Sequence, residues 1–183
     1  LREPHGVCGH IIPWNYPMQI IGRSVGAAIA MGNSSVLKPA EQACLTALAV
    51  AAIADEAGFP SGVINVVPGL GDQAGAALSQ HPGVQHISFT GSVATGRAVQ
   101  RAAAENVVPV TLELGGKSPQ LVFDDADLDK AVAEAMLSKF RNAGQTCVCA
   151  NRIFVQEGIY DAFAEKLAAA AAALKIGDGM TDG

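Results

Sequence analysis

The sequence is short of charge. Only 16% of its 183 residues are Asp, Glu, Lys or Arg, and the formal net charge is -5. That balance offers no basic field to hold nucleic acid or an anionic membrane surface. It also lacks a long apolar run, since the longest, LTALAVAAIA at 45–54, falls short of a bilayer span. No charged-then-apolar leader opens the chain, and LREPHG reads as the middle of a protein. The four cysteines at 8, 44, 147 and 149 are too few for a disulfide framework in a chain of this length. A reducing, cytoplasmic setting is expected. Cys8 and Cys44 lie in apolar surroundings and read as small packed hydrophobes.

Apolar residues, at 50%, suffice for one sizeable core, or for one domain plus part of another. Short β-rich runs alternate with Ala-rich stretches. Strands are expected at 6–12, 34–38, 62–67, 85–90 and 109–114, with helices at 17–32, 42–57, near 72–79 and from Ser92 to about Glu105. This alternation predicts a doubly wound parallel sheet over 1–114. A second α/β unit over 115–183 starts with a strand at 119–123. Asp124, Asp125 and Asp127 are N-cap candidates for a helix to about Phe140. A strand at 151–156 and a helix at 158–174 follow, leaving a sheet that reads as unfinished and a chain that reads as a fragment of something larger.

Two glycine-rich turns follow expected strands. PGLGDQAG (68–75) is one residue off the dinucleotide fingerprint, and FTGSVATG (89–96) lacks the Lys-Ser/Thr of a phosphate-binding loop. In the second, Gly91 lets the backbone turn and Ser92 opens a helix whose free N–H groups suit a pyrophosphate. A dinucleotide fits and a nucleoside triphosphate is disfavoured. SVLKPAE (35–41) puts Lys38 and Glu41 at a strand's carboxyl end, where such sheets bind ligands; alone it is equally a solvated turn.

Cys147 and Cys149 stand in SKFRNAGQTCVCANR (138–152). A metal clip needs a second Cys/His cluster, and the histidines at 5, 10, 81 and 86 are scattered, so no metal is expected. A reactive thiolate is better motivated if Cys147 sits by a helix N-terminus or among inward-pointing N–H groups. Alone, the motif reads more simply as an inert core cysteine. In VTLELGGKSP (110–119), Glu113 ends a strand before two glycines and is placed to act as a general base. In PWNYP (13–17), Asn15 sits between prolines, its amide able to donate to an oxyanion. A paired strand-end charge and a turn former are the plain alternatives.

Taken in order, IIPWNYP, LKPAE, FTGS, LELGGKSP and NAGQTC resemble the aldehyde dehydrogenase superfamily over essentially the whole chain. The resemblance implies NAD(P)-dependent oxidation of an aldehyde to an acid, with NAD favoured over NADP, and homo-oligomeric full-length members. It implies that Cys147 attacks the aldehyde, that Asn15 and the Cys147 N–H stabilise the oxyanion, and that Glu113 activates the hydrolytic water. It places Lys38 and Glu41 on the adenosine ribose, Gly71 on the adenine ribose side and Ser92 on the pyrophosphate. Ile12, Pro13 and Trp14 would line the cofactor cleft, and Leu114 the nicotinamide end.

The resemblance also implies that a preceding segment, the rest of a catalytic domain and a subunit-pairing strand lie outside this sequence. FDDADLDKAV and SKFRNAGQTCVCANR are most similar to succinate semialdehyde dehydrogenases, whereas the first hundred residues read as a more general member. That branch suggests Arg23 and Arg141 for an acidic substrate's far carboxylate, and a reversible disulfide between Cys147 and Cys149. Competing readings are a homologue that binds without turnover and a CoA-acylating relative, which Glu113 disfavours.

Overall fold

The computed structural model describes residues 1–181, which divide into two compact units, one over Leu1–Gly115 and the other from Gly116 onward. In the first, β1 (Val7–Ile11), β2 (Ser34–Lys38), β3 (Ile64–Val66), β4 (His86–Gly91) and β5 (Val110–Leu114) form one parallel sheet. Their order is β3-β2-β1-β4-β5. The crossovers carry α1 (Pro17–Ala30), α2 (Leu45–Glu56), α3 (Ala76–Gln80) and α4 (Val93–Ala104).

Register decides what each face carries, because residues paired across strands share a face. Cys8 pairs with Ser35 and His86, and His10 with Leu37 and Ser88. On that face Leu37 and Val66 pack against Ile20, Ile21 and Val25 of α1 and Ala47 of α2. On the other, Ile11, Ile87 and Phe89 pack against Val99 and Ala103 of α4 and Leu78 of α3. Helices therefore cover both faces, the doubly wound class that the alternation predicts. The α1-side face of β4 and β5 differs: His86, Ser88, Thr90, Thr111 and Glu113 make it polar.

Local chemistry sets the element ends. Pro17 opens α1 at a position that needs no N–H donor. After α1, Gly32 takes φ +77°, and N–H groups of Gly32 and Asn33 return to Ile29 and Ala28 carbonyls, a cap that favours glycine. Ser92 caps α4 by accepting from the Thr95 N–H at 3.1 Å. Gly96 lets α4 approach the sheet, as a Cβ there would come within 2.7 Å of Leu114. The strand expected at 62–67 shrinks to Ile64–Val66, because Gly62 turns to φ +85° and its carbonyl accepts from Asn65 Nδ2.

In the second unit β6 (Pro119–Val122) pairs in parallel with β7 (Arg152–Val155). One face packs Val122, Ile153 and Val155 on α5 (Leu128–Phe140) and α6 (Tyr160–Ala172), around Val132, Ala135 and Phe163. Of the three candidate caps, Asp127 starts α5, accepting from the Lys130 N–H at 3.1 Å. The other face shows Leu121, Phe123 and Phe154 to solvent. Among the described residues no helix is long and apolar enough to cross a membrane.

Candidate active site

The chain winds outward from β1 to β3, then returns to β4 on β1's other side. Ligands bind at the carboxyl ends of strands where the order reverses. Eight first-unit candidates lie at or just past those ends. The Ile12 N–H donates to the Lys38 carbonyl at 3.1 Å, extending the β1–β2 ladder by a residue. Pro13 and Asn15 are half-buried and Trp14 is exposed in the bend leading to α1. Gly91 ends β4, with Ser92 next as the cap of α4; Glu113 and Leu114 end β5.

Lys38 is buried at the end of β2, and its Nζ lies 3.2 Å from Glu41 Oε2. The Glu41 carboxyl is held below its ordinary range, first by its own backbone N–H, then by the Lys38 hydrogen bond and charge. Past β3, a wide π-type turn, Gly71–Gly75, leads into α3. Gly71, Gly75, Ser79, Thr95 and Ala98 line a cavity of about 570 Å³ between that segment and α4. A Cβ on Gly71 or Gly75 would meet no atom within 4 Å, so the lining is open on that side. Small residues, this volume and the capped start of α4 fit the adenosine end of a dinucleotide.

Glu113 does not stand alone. Arg23 Nη1 lies 3.6 Å from Glu113 Oε2, and Arg23 Nη2 donates to Thr90 Oγ1 at 3.3 Å. Thr90 faces Glu113 directly in the β4–β5 register, so one guanidinium from α1 bridges two strand ends. Arg23 is expected from the sequence to face a substrate carboxylate; here it faces the chain's own.

In the second unit a 3-10 turn, Arg141–Gly144, ends α5. Asn142, Ala143 and Gly144 are all left-handed, at φ +52°, +55° and +77°. Thr146 Oγ1 donates back to the exposed Arg141's carbonyl at 3.3 Å, and the Cys149 N–H to the Thr146 carbonyl. Cys147 sits exposed in this turn, with β7 the next strand. Among the described residues no helix begins at Cys147; a left-handed reversal after α5 leads the chain to it. Cys147 and Cys149 are both free thiols. Cys149 is buried, its Sγ donating to the Gly144 carbonyl at 3.4 Å.

Sequence reading misses Thr90, Thr95 and Lys139. Thr90 and Thr95 lie within FTGSVATG, but the motif assigns a role only to Gly91 and Ser92; register and the cavity single the threonines out. Lys139 Nζ donates to Asn151 Oδ1 at 2.7 Å and lies 4.0 Å from Cys149 Sγ. Its place in the last turn of α5 is the only hint the sequence offers.

A doubly wound sheet with candidate groups along its carboxyl edge defines an α/β domain that takes ligands at a strand-order switch. The sequence profile of the aldehyde dehydrogenase family matches residues 1–183, and the chain belongs to that family. It is 57% identical over 182 residues to a 3-sulfolactaldehyde dehydrogenase of Pseudomonas putida, covering 100% of this chain and 37% of that protein. It is 53% identical over 183 residues to the NADP(+) succinate-semialdehyde dehydrogenase of Escherichia coli K12, covering 100% and 38%. The solved succinate-semialdehyde dehydrogenase from Burkholderia pseudomallei superposes with a TM-score of 0.95 at 52% identity, covering 100% and 38%. The chain thus spans well under half the length of these relatives.

Proposed function

We propose that this chain is part of an NAD-dependent aldehyde dehydrogenase whose substrate carries an anionic group. The observation that carries the reading is the gathering of Asn15, Lys38, Glu41, Ser92 and Glu113 behind the carboxyl ends of one doubly wound sheet. All three relatives above are named for aldehydes that bear a sulfonate or carboxylate. Arg23 and Arg141 are the cations proposed to meet that group, through bidentate hydrogen bonds.

In this reading the Cys147 thiolate adds to the aldehyde carbon, forming a C–S bond and an oxyanion. The amide of Asn15 and the N–H of Cys147 stabilise that oxygen. Lys38, Glu41 and Ser92 hold a nicotinamide dinucleotide, which when bound supplies the hydride acceptor. Glu113 then takes a proton from water as its oxygen adds to the thioester carbon. The C–S bond breaks, the acid leaves and the thiolate returns.

The test uses the full-length protein. Glu113→Gln should keep a burst of reduced cofactor and lose steady turnover, while Cys147→Ala loses both. Equal loss of burst and steady state in Glu113→Gln removes Glu113 from hydrolysis. Assays with and without CoA identify the product as free acid or acyl-CoA. Glu41 should favour NAD, since a 2′-phosphate would meet its carboxylate; equal kcat/KM for the two cofactors rejects that part.

A further inference from the structure

We propose that Asn151, oriented by Lys139, is a positioning residue for the Cys147 thiol, fixing the turn that bears it at the point where the chain leaves that turn. The inference rests on the function proposed above and concerns its first step. Its basis is a polar node in the second unit. Lys139 Nζ donates to Asn151 Oδ1 at 2.7 Å, and Asn151 Nδ2 donates over a longer 3.4 Å to each of the Gly116 and Cys149 carbonyls.

The turn needs such a tie. The Cys149 N–H returns to the Thr146 carbonyl at 3.3 Å, closing a four-residue turn with Cys147 and Val148 at its corners. Both corner residues are exposed, so packing does little to hold them. The next two, Cys149 and Ala150, are buried. Polar bonds hold this pair to the end of α5: the Ala150 N–H donates to Ser138 Oγ at 3.2 Å, and Cys149 Sγ to the Gly144 carbonyl at 3.4 Å. Asn151 joins the pair to the opposite side, its own N–H donating to the Ser118 carbonyl at 3.1 Å, just before β6.

An ammonium only donates, so Lys139 decides which way the Asn151 amide faces. With Oδ1 turned to Nζ, both amide hydrogens are left for carbonyls, and the side chain's donors and acceptor are all used. The left-handed run at Asn142, Ala143 and Gly144 sets where the chain enters the turn, and this node sets where it leaves. A turn held at one end only still swings. Misplacing a reacting group by about 1 Å costs up to about a hundredfold in rate, so the node acts on the attack of Cys147 and not on stability alone.

The full-length enzyme tests this through the burst of reduced cofactor. Asn151→Asp keeps the acceptor for Lys139 but sets a carboxylate against two carbonyls. It should slow the burst by about ten- to a hundredfold and leave cofactor affinity unchanged, since the groups proposed for the cofactor stand in the first unit. Lys139→Met should slow the burst by about two- to tenfold, the worth of one hydrogen bond, and Lys139→Arg, which keeps a donor, should recover most of it. Iodoacetamide labelling gives a readout independent of the aldehyde: Cys147 should be alkylated at the wild-type rate in every variant, with Cys149 still protected. A burst loss matched by slower labelling of Cys147, or by new labelling of Cys149, would make Asn151 a merely structural residue and overturn the proposal. A wild-type burst in Asn151→Asp also overturns it, although Cys147 and Glu113 keep their roles. If Cys147→Ala keeps the burst, the function reading itself falls, and the two failures are told apart.

Discussion

The two units follow one rule of alternating strand and helix but reach different degrees of closure. In the first, five strands let two apolar clusters form, one on each face of the sheet. In the second, two strands carry one cluster, and Leu121, Phe123 and Phe154 stay 60%, 59% and 53% exposed on the opposite face. A two-stranded sheet is marginal without further strands or a second covering layer. The difference teaches where each part of the chemistry draws its rigidity. The groups proposed for cofactor and water stand on a sheet finished within its own unit, and the proposed nucleophile stands on a turn in a unit that is not.

The largest expected effect separates the units. Residues 1–115 expressed alone should unfold cooperatively in urea, whereas 116–183 alone should show no cooperative transition and bind a hydrophobic dye. By the same reasoning the 183-residue chain should not sustain cofactor reduction with aldehyde. A sharp transition for 116–183, or steady turnover by the chain, would erase the contrast.

Much of this was legible beforehand because it depends on local chemistry. Alternating β-rich and Ala-rich runs place all seven strands of the described residues, and Ser92 and Gly32 mark helix ends through rules that act within a few residues. The doubly wound class follows from order alone. What sequence hides is contact set by packing: Arg23 of α1 meets Thr90 of β4 across 67 residues, and Glu113 comes within its reach by the β4–β5 register, neither of which has a spacing signature. The surroundings of Cys147 were hidden for another reason. A left-handed run through Asn142 and Ala143 is rare for residues with a Cβ, so nothing in NAGQTC signals it. The motifs suggested what the candidate site does, and the register supplied what touches what.

A smaller effect probes the first unit at its polar quarter. His10 is 2% exposed, and among the described residues neither ring nitrogen has a hydrogen-bond partner. Burial, then charge on His86, pushes its pKa down to about 4, from an ordinary 6.5. Between these values the unfolded chain binds the extra proton. Stability is therefore whole above about pH 6.5 and falls as pH drops toward 4. From pH 7 to pH 5 the loss should be about 2 kcal/mol, by about 1.4 kcal/mol for each unit of displacement. His10→Leu should flatten that slope in urea titrations of the 183-residue chain. An unchanged slope would place the acid sensitivity elsewhere.

The smallest effect contrasts one strained residue in each unit. Val107 follows α4 at φ +55°, its N–H and that of Val108 returning to the Ala104 and Ala103 carbonyls, in the type of cap where α1 uses Gly32. Ala143, before Cys147, has the same φ of +55°. A side chain in this region costs about 1–2 kcal/mol, and more for a β-branched one, while glycine adds back about 0.5–1 kcal/mol through unfolded-state freedom. Val107→Gly should therefore stabilise the first unit by about 1 kcal/mol and leave kinetics alone, because Val107 is exposed at a helix end with no candidate group beside it. Ala143→Gly should gain less, about 0.5 kcal/mol or nothing, because it joins Gly144 in a doubly flexible link. Its cost should appear in the full-length enzyme as a slower burst, since the turn carrying Cys147 would no longer be held to one conformation. If Ala143→Gly leaves the burst untouched, the left-handed run is only a way to end α5, and the nucleophile owes its placement to parts of the relatives' length that this chain does not span.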